Sequence, residues 1–258
     1  MNQMLKGKNI VIMGVANHRS IAWGIAQSLS QAGANLIFTY QGDRLRENVA
    51  KLADTLDQPE QILVPCDVTS DEEVAKAFSQ IKEKVGVIHG LAHCIAFAKT
   101  EELEGEFVAT SRDGYALAQD ISAYSLVAVA REARGLMTEG GSIVTMTYLG
   151  GERVIPNYNV MGVAKAALDA SVRYLAHDLG KENIRINAIS AGPIRTLAAK
   201  GIRNFNAVLK EIEEKAPLRR TIDQSEVGDT ALFLFSHLSR GITGEVIHVD
   251  AGYNIMGF

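Results

Sequence analysis

With 258 residues, 47% of them hydrophobic and 22% charged, the chain can bury a large core and falls within the range of a single α/β domain. A net charge of -4 without any Lys/Arg run leaves no electrostatic footprint for nucleic acid, and no run reaches the ~18 apolar residues a membrane span needs. The partner expected is a small molecule, and Cys66 and Cys94, in apolar runs without CxxC spacing, read as free thiols of a cytoplasmic protein that begins without a signal region.

Short β-rich runs alternate with amphipathic helical stretches from end to end. Strands are expected at 9–13, 35–40, 61–66, 90–96, 142–148, 184–190 and 245–250, with helical periodicity between most of them. Gly33, Ser70, the Gly140-Gly141 pair and Gly180 punctuate the boundaries. Seven strands alternating with helices imply one Rossmann-like, doubly wound domain over residues 1–258 with a seven-stranded parallel sheet. Residues 196–214, between the sixth strand and the last helix, are long enough to form a helical substrate lid.

In such a sheet, ligands bind outside the carboxyl ends of the strands, so the residues just after each strand carry the chemistry. After the first come Gly14, Ser20, Ile21 and Gly24. Gly14 suits a tight turn and Ser20 a phosphate contact from the helix start, while Gly24 permits close helix–strand approach; a structural serine cap fits the same pattern. After the second strand, Gln41-Gly42-Asp43 brings no basic residue, and Asp43 opposes a 2′-phosphate, so NADH is expected over NADPH, with Arg44 as the contrary signal. Asp67 and Val68 follow the third strand, where Asp67 reads equally as an adenine contact or a helix cap. Ile95 to Ala98 follow the fourth and offer small groups near the ribose and nicotinamide, or a plain buried strand end.

Tyr158 and Lys165 are separated by six residues. On a helix, seven residues come back to within about 20° of the starting direction, so one cleft holds both side chains. A phenol beside an ammonium supplies an acidic hydroxyl and a cation that organises a ribose and lowers the phenol's pKa. No HExxH, GxSxG or clustered metal ligands occur, and the six histidines are scattered, so no metal is expected.

Together these residues resemble the short-chain dehydrogenase/reductase superfamily, and within it the bacterial enoyl-acyl-carrier-protein reductases of type II fatty-acid synthesis. The resemblance rests on Gly14, Ser20, Ala22 and Gly24; on Asp67-Val68; on Tyr148, Tyr158 and Lys165; and on the stretch Ala191-Gly192-Pro193-Ile194-Arg195-Thr196-Leu197. The superfamily's carbonyl reductases usually space Tyr and Lys by three residues, a position held here by Gly162.

The resemblance implies that Tyr158 hydrogen-bonds the thioester carbonyl, that Lys165 holds the nicotinamide ribose and that Tyr148 is the second catalytic tyrosine. It puts Gly14, Ser20, Ile21, Gln41, Asp67, Val68, Ile95, Lys165, Ile194 and Thr196 on the cofactor. It puts Ala98, Leu103, Tyr148, Tyr158 and Met161 on the substrate, under a lid bearing Ala198, Ala199, Ile202 and Phe205. It further implies an enoyl thioester of acyl carrier protein or coenzyme A as partner, and a homotetramer. Two rival readings are a carbonyl reductase of the same superfamily and a non-catalytic nucleotide sensor.

Overall fold

The computed structural model describes residues 3–56, 62–196 and 205–257, with the backbone alone at Phe205 and Val208. Within them lie strands β1 Asn9–Met13, β2 Asn35–Tyr40, β3 Ile62–Pro65, β4 Gly90–His93, β5 Gly141–Thr147, β6 Ile184–Ala191 and β7 Val246–Val249. They form one parallel sheet in the order β3-β2-β1-β4-β5-β6-β7. The helices are α1 Ile21–Gln31, α2 Gly42–Ala53, α3 Asp71–Val85, α4 Arg112–Gln119, α5 Ser125–Arg134, α6 Asn159–Leu179, α7 Phe205–Lys215 and α8 Gln224–Phe235.

Alternation along each strand builds a core on either face of the sheet. Ile10 and Ile12 of β1 face one side with Trp23, Ile25 and Leu29 of α1, Val49 of α2, Ile212 of α7 and Leu234 of α8. Val11 and Met13 face the other, with Phe78 and Ile81 of α3, Leu126 and Val129 of α5 and Leu168 and Val172 of α6. Phe38 and Phe78, fully buried on opposite faces, each contribute about 2–3 kcal/mol by leaving water. Parallel strands buried on both sides need the nearly continuous apolar runs that the sequence displays.

Two strands match their expected bounds, and the rest shift by small amounts. β4 stops at His93 rather than 96, because the chain leaves the ladder after Cys94 donates its N–H to the Met13 carbonyl at 3.2 Å. Gly24 serves a close approach of a different kind from the one expected. It abuts the Gln224 carbonyl of α8, so the contact is helix on helix.

The strand order reverses at β1, whose neighbours are β2 and β4. The carboxyl ends of β1 and β4 therefore diverge into a crevice, the usual ligand position in this architecture. Among the described residues, no helix is long and apolar enough to cross a membrane. Ala198, Ala199 and Ile202 lie outside the described residues. The α7 part of the expected lid is anchored rather than free, since Leu209 and Ile212 are buried.

Candidate active site

The crevice begins at Gly14, just past β1. Its φ is +95°, and an ideal Cβ there would stand 2.1 Å from the Cys94 carbonyl oxygen, so only glycine lets the first loop lie against the end of β4. Ser20 shapes this loop: its Oγ accepts the N–H groups of Ala16 at 3.0 Å and Asn17 at 3.1 Å. It caps no N–H of α1, which leaves the positive end of that helix open toward the crevice. Ile21 is half-buried against the first core.

At the next strand ends, Gln41 Nε2 donates to Asp67 Oδ2 at 2.7 Å, while Asp67 Oδ1 accepts from the N–H and hydroxyl of Thr69. Burial pushes the Asp67 carboxyl up, but the Thr69 and Gln41 donors outweigh it and hold the group below the ordinary range. The helix-cap reading of Asp67 falls, because Ser70 caps α3 by accepting the Glu73 N–H. Val68 is buried and Ile95 half-buried in the second core, and Ile194 packs on the first. Thr196 donates its N–H to the Ile194 carbonyl at 2.7 Å. His18, Arg19, Asp43 and Arg44 are all exposed.

The second half of the site forms past β5. Tyr148 is the first residue beyond that strand, and its ring meets the Tyr158 ring edge-on with centroids 4.9 Å apart. Among the described residues, neither hydroxyl has a hydrogen-bond partner, so both are available as donors. Lys165 is buried in α6 and donates one Nζ hydrogen to the Met146 carbonyl at 2.7 Å, leaving two for a ligand.

Two expectations about this pair need correction. Tyr158 precedes α6 instead of belonging to it, and its neighbours Asn157 and Asn159 adopt left-handed φ of 63° and 35°. Helical periodicity therefore does not aim its side chain; the turn at Gly150 and Gly151 does. An ideal Cβ on Gly150 would meet the Tyr158 ring at 2.3 Å, and one on Gly151 would meet the Lys165 backbone at 3.1 Å. Nor is the phenol made more acidic. Burial, then Tyr148 and Asp169, push the Tyr158 hydroxyl far above its usual range, and burial, then Tyr253 and Asp250, push Tyr148 up to about 12. Both are neutral O–H donors at physiological pH.

The spacing itself has a steric basis. At Gly162, the place a three-residue gap would give to lysine, an ideal Cβ would lie 2.7 Å from the Gly150 carbonyl oxygen. That wall is closed to a long side chain.

Among the expected substrate positions, Met161 is buried outside both sheet-face cores and Leu103 and Ala98 are half-buried. Leu103 ends a 3-10 turn, Thr100–Leu103, tied to the start of α6 where Asn159 Nδ2 donates to the Gly105 carbonyl at 3.1 Å. Phe205 opens α7.

Sequence reasoning missed a buried polar lattice beneath the site. His93 is wholly buried, facing the Thr145 hydroxyl through Nδ1 and the Ser125 hydroxyl through Nε2, each at 2.9 Å. Burial, then Lys165, pull it down to about 3, so it is neutral. A π-helical turn, Asp120–Tyr124, joins α4 to α5 and carries Ser122 onto both backbone groups of Phe97. A serine at 122 and another at 125 are a faint signal only, because nothing in their spacing tells which strand end they reach.

A glycine turn at the order reversal of a parallel sheet, with tyrosine hydroxyls and a buried lysine across the crevice, defines an oxidoreductase of the short-chain dehydrogenase/reductase class. The model of the enoyl-(acyl carrier protein) reductase family matches residues 14–254, and the chain belongs to that family. It is 68% identical to the NADH-dependent enoyl-[acyl-carrier-protein] reductase FabI of Bacillus cereus over 99% of this chain and 100% of that protein. Staphylococcus aureus FabI, named for NADPH, is 61% identical over 97% of this chain and 98% of its own. A crystal structure of the Bacillus cereus reductase with NADP+ and indole naphthyridinone superposes with a TM-score of 0.98 at 68% identity, covering 99% of this chain and 100% of that one.

Proposed function

We propose that Tyr158, Tyr148 and Lys165 carry out the reduction of a trans-2-enoyl thioester, with NADH held across the β1/β4 crevice. The observation that supports this most is the edge-on Tyr148–Tyr158 pair, whose hydroxyls have no hydrogen-bond partner among the described residues, together with the buried Lys165. The crevice fits a dinucleotide, because Gly14 lets the first loop lie back against the end of β4 and α1 points its uncapped positive end there. Gln41, locked to Asp67, closes the ribose end without a cation, which favours NADH.

When bound, NADH supplies the hydride that adds to the β-carbon of the enoyl group. Negative charge then develops on the thioester oxygen, and the Tyr158 O–H donates to it. Because the phenol is held neutral, it acts as a hydrogen-bond donor and proton source; such a donor is worth ~3 kcal/mol in the transition state. Lys165 uses its two remaining N–H groups to hold the nicotinamide ribose. Tyr148 walls the pocket and presents a second donor, with Ala98, Leu103 and Met161 completing an apolar groove for the acyl chain. Ala198, Ala199, Ile202 and Phe205 are assigned to the same groove from the family resemblance.

The carrier is assigned as acyl carrier protein, with coenzyme A the alternative. A homotetramer built on α6 is part of the same reading: Ala166 and Tyr174 are exposed on that helix, whereas Ala164 and Ala176 turn into the body. Light scattering that gives a monomeric mass rejects the tetramer.

The deciding experiment offers NADH with either a trans-2-enoyl or a 3-oxoacyl thioester and follows nicotinamide absorbance. Oxidation with the enoyl substrate alone is expected. Reduction of the ketone alone would overturn the assignment.

A further inference from the structure

Asp169 stands on α6 one turn beyond Lys165, so the two side chains share a face with β-carbons about 5–6 Å apart. Both are buried, Lys165 at 5% exposure and Asp169 at 6%. Asp169 Oδ1 is enclosed and, like the enclosed Thr147 hydroxyl on β5, has no hydrogen-bond partner among the described residues. Oδ2 leans on the turn that seats Tyr158, 3.0 Å from where a Cβ on Gly151 would stand. The nearby Thr147 hydroxyl lowers the Asp169 carboxyl but gives Oδ1 no hydrogen bond of good geometry; a buried carboxylate so poorly supplied is costly to keep, and the mechanism above gives it no reacting atom to touch.

We propose that Asp169 is a positioning residue for Lys165: an enclosed negative charge, one helical turn away, that keeps the ammonium protonated and turned toward the cofactor ribose. This rests on the reading of Lys165 as the ribose-binding lysine. Other groups acting on the pair come from several elements. His93 of β4 is neutral with its pKa near 3, and just past that strand the Cys94 thiol is pushed up to about 12 by burial, against the pull of Lys165. Glu152, past β5, pairs with His248 of β7 at 2.9 Å, and Arg173 of α6 draws Asp169 the opposite way from Glu152. Tyr158 stays protonated. Burial pulls Lys165 down to about 8, and Asp169 is the leading influence that opposes it. Burial in turn raises the Asp169 carboxyl, against the Thr147 hydroxyl and then Lys165, which lower it.

The test measures the NADH dissociation constant by nicotinamide fluorescence, from neutral to alkaline pH, for the intact enzyme and the variants D169N, D169E and K165M. In the wild type, affinity should fall as pH rises through about 8. In D169N the break should move down by about one to two pH units, costing roughly tenfold in affinity near neutrality, and D169E should restore it. A folded D169N with the wild-type break, or with equal weakening at every pH, overturns the proposal. K165M separates the two levels: unchanged NADH affinity in K165M refutes the ribose reading, whereas a weakened K165M beside a wild-type-like D169N refutes the role of Asp169 alone. If D169N does not fold, nitrogen NMR of Lys165 Nζ in the wild type decides. A second titration step at the pH where the Asp169 carboxyl carbon titrates supports the coupling, and a single independent step overturns it.

Discussion

Replacing Gly162 with alanine tests whether the turn at Gly150 is what sets the position of Tyr158. The new methyl would sit 2.7 Å from the Gly150 carbonyl oxygen, roughly 0.7 Å inside ordinary contact. Gly150 cannot retreat freely, because its own Cβ position is 2.3 Å from the Tyr158 ring, and a Cβ on Gly151 behind it would stand 3.0 Å from both the Ala166 nitrogen and Asp169 Oδ2. Overpacking of this kind costs about 1–3 kcal/mol, and the helix preference for alanine over glycine returns up to ~1 kcal/mol. A net loss of about 1–2 kcal/mol is expected, or roughly 2–4 °C in Tm for each kcal/mol at this chain length. The displaced turn should also carry Tyr158 out of line, lowering kcat by about tenfold to a hundredfold, while NADH affinity, which the proposed function assigns to Lys165, changes little. Urea melts and steady-state NADH oxidation with an enoyl thioester read both effects. A variant as stable as its parent with undiminished turnover would refute the argument, because it would show that the wall between Gly150 and α6 yields at no cost.

Replacing Tyr158 with Phe should lower kcat about a hundredfold and leave NADH affinity intact, as single-turnover and binding measurements will show. His93, with a folded pKa near 3 against 6.5 in the unfolded chain, binds fewer protons when folded between those values, so its contribution to stability is complete above pH 6.5 and lost as pH falls. The loss amounts to about 4 kcal/mol by pH 3, and in His93→Gln the urea midpoint should fall less steeply through this window; parallel curves for the two proteins would refute it. Asp67→Asn removes the carboxylate that holds Gln41 and should raise kcat/KM for NADPH relative to NADH by roughly several-fold, measured side by side. An unchanged ratio would place cofactor discrimination elsewhere.

Much of the fold was legible because parallel strands buried on both faces write continuous apolar runs between helical periods. β1 and β2 match their expected bounds, and errors concentrate where strands end, as at His93, since the last rung depends on what the neighbouring strand offers. The crevice was legible through Gly14 and Ser20, although the serine shapes the loop instead of capping the helix. What could not be read was tertiary. The left-handed asparagines around Tyr158 hide the fact that it stands before the helix, so Tyr158 and Lys165 were paired by a geometry the chain does not have. The acidity of the phenol was misjudged in sign, because desolvation outweighs a neighbouring cation and desolvation has no sequence signature. Asp169 was overlooked for the converse reason: an acid four residues after a lysine reads as a surface pair, and only the packing of the Gly150/Gly151 turn encloses it.

The π-helical turn ahead of α5 constrains how this gene segment can change length. Such a turn spans one more residue than the α-helical turn it replaces, so deleting a single residue there would heal the helix and would look harmless by propensity. Yet the deletion would rotate everything on its amino-terminal side by about 100° about the axis, while leaving the other side in place. Ser125 would keep its hold on His93, whereas Ser122, brought by the π turn to both backbone groups of Phe97, would swing away from it. The strand end beside the crevice is thus indexed to a residue count, and this stretch should tolerate substitutions far better than the loss of one codon.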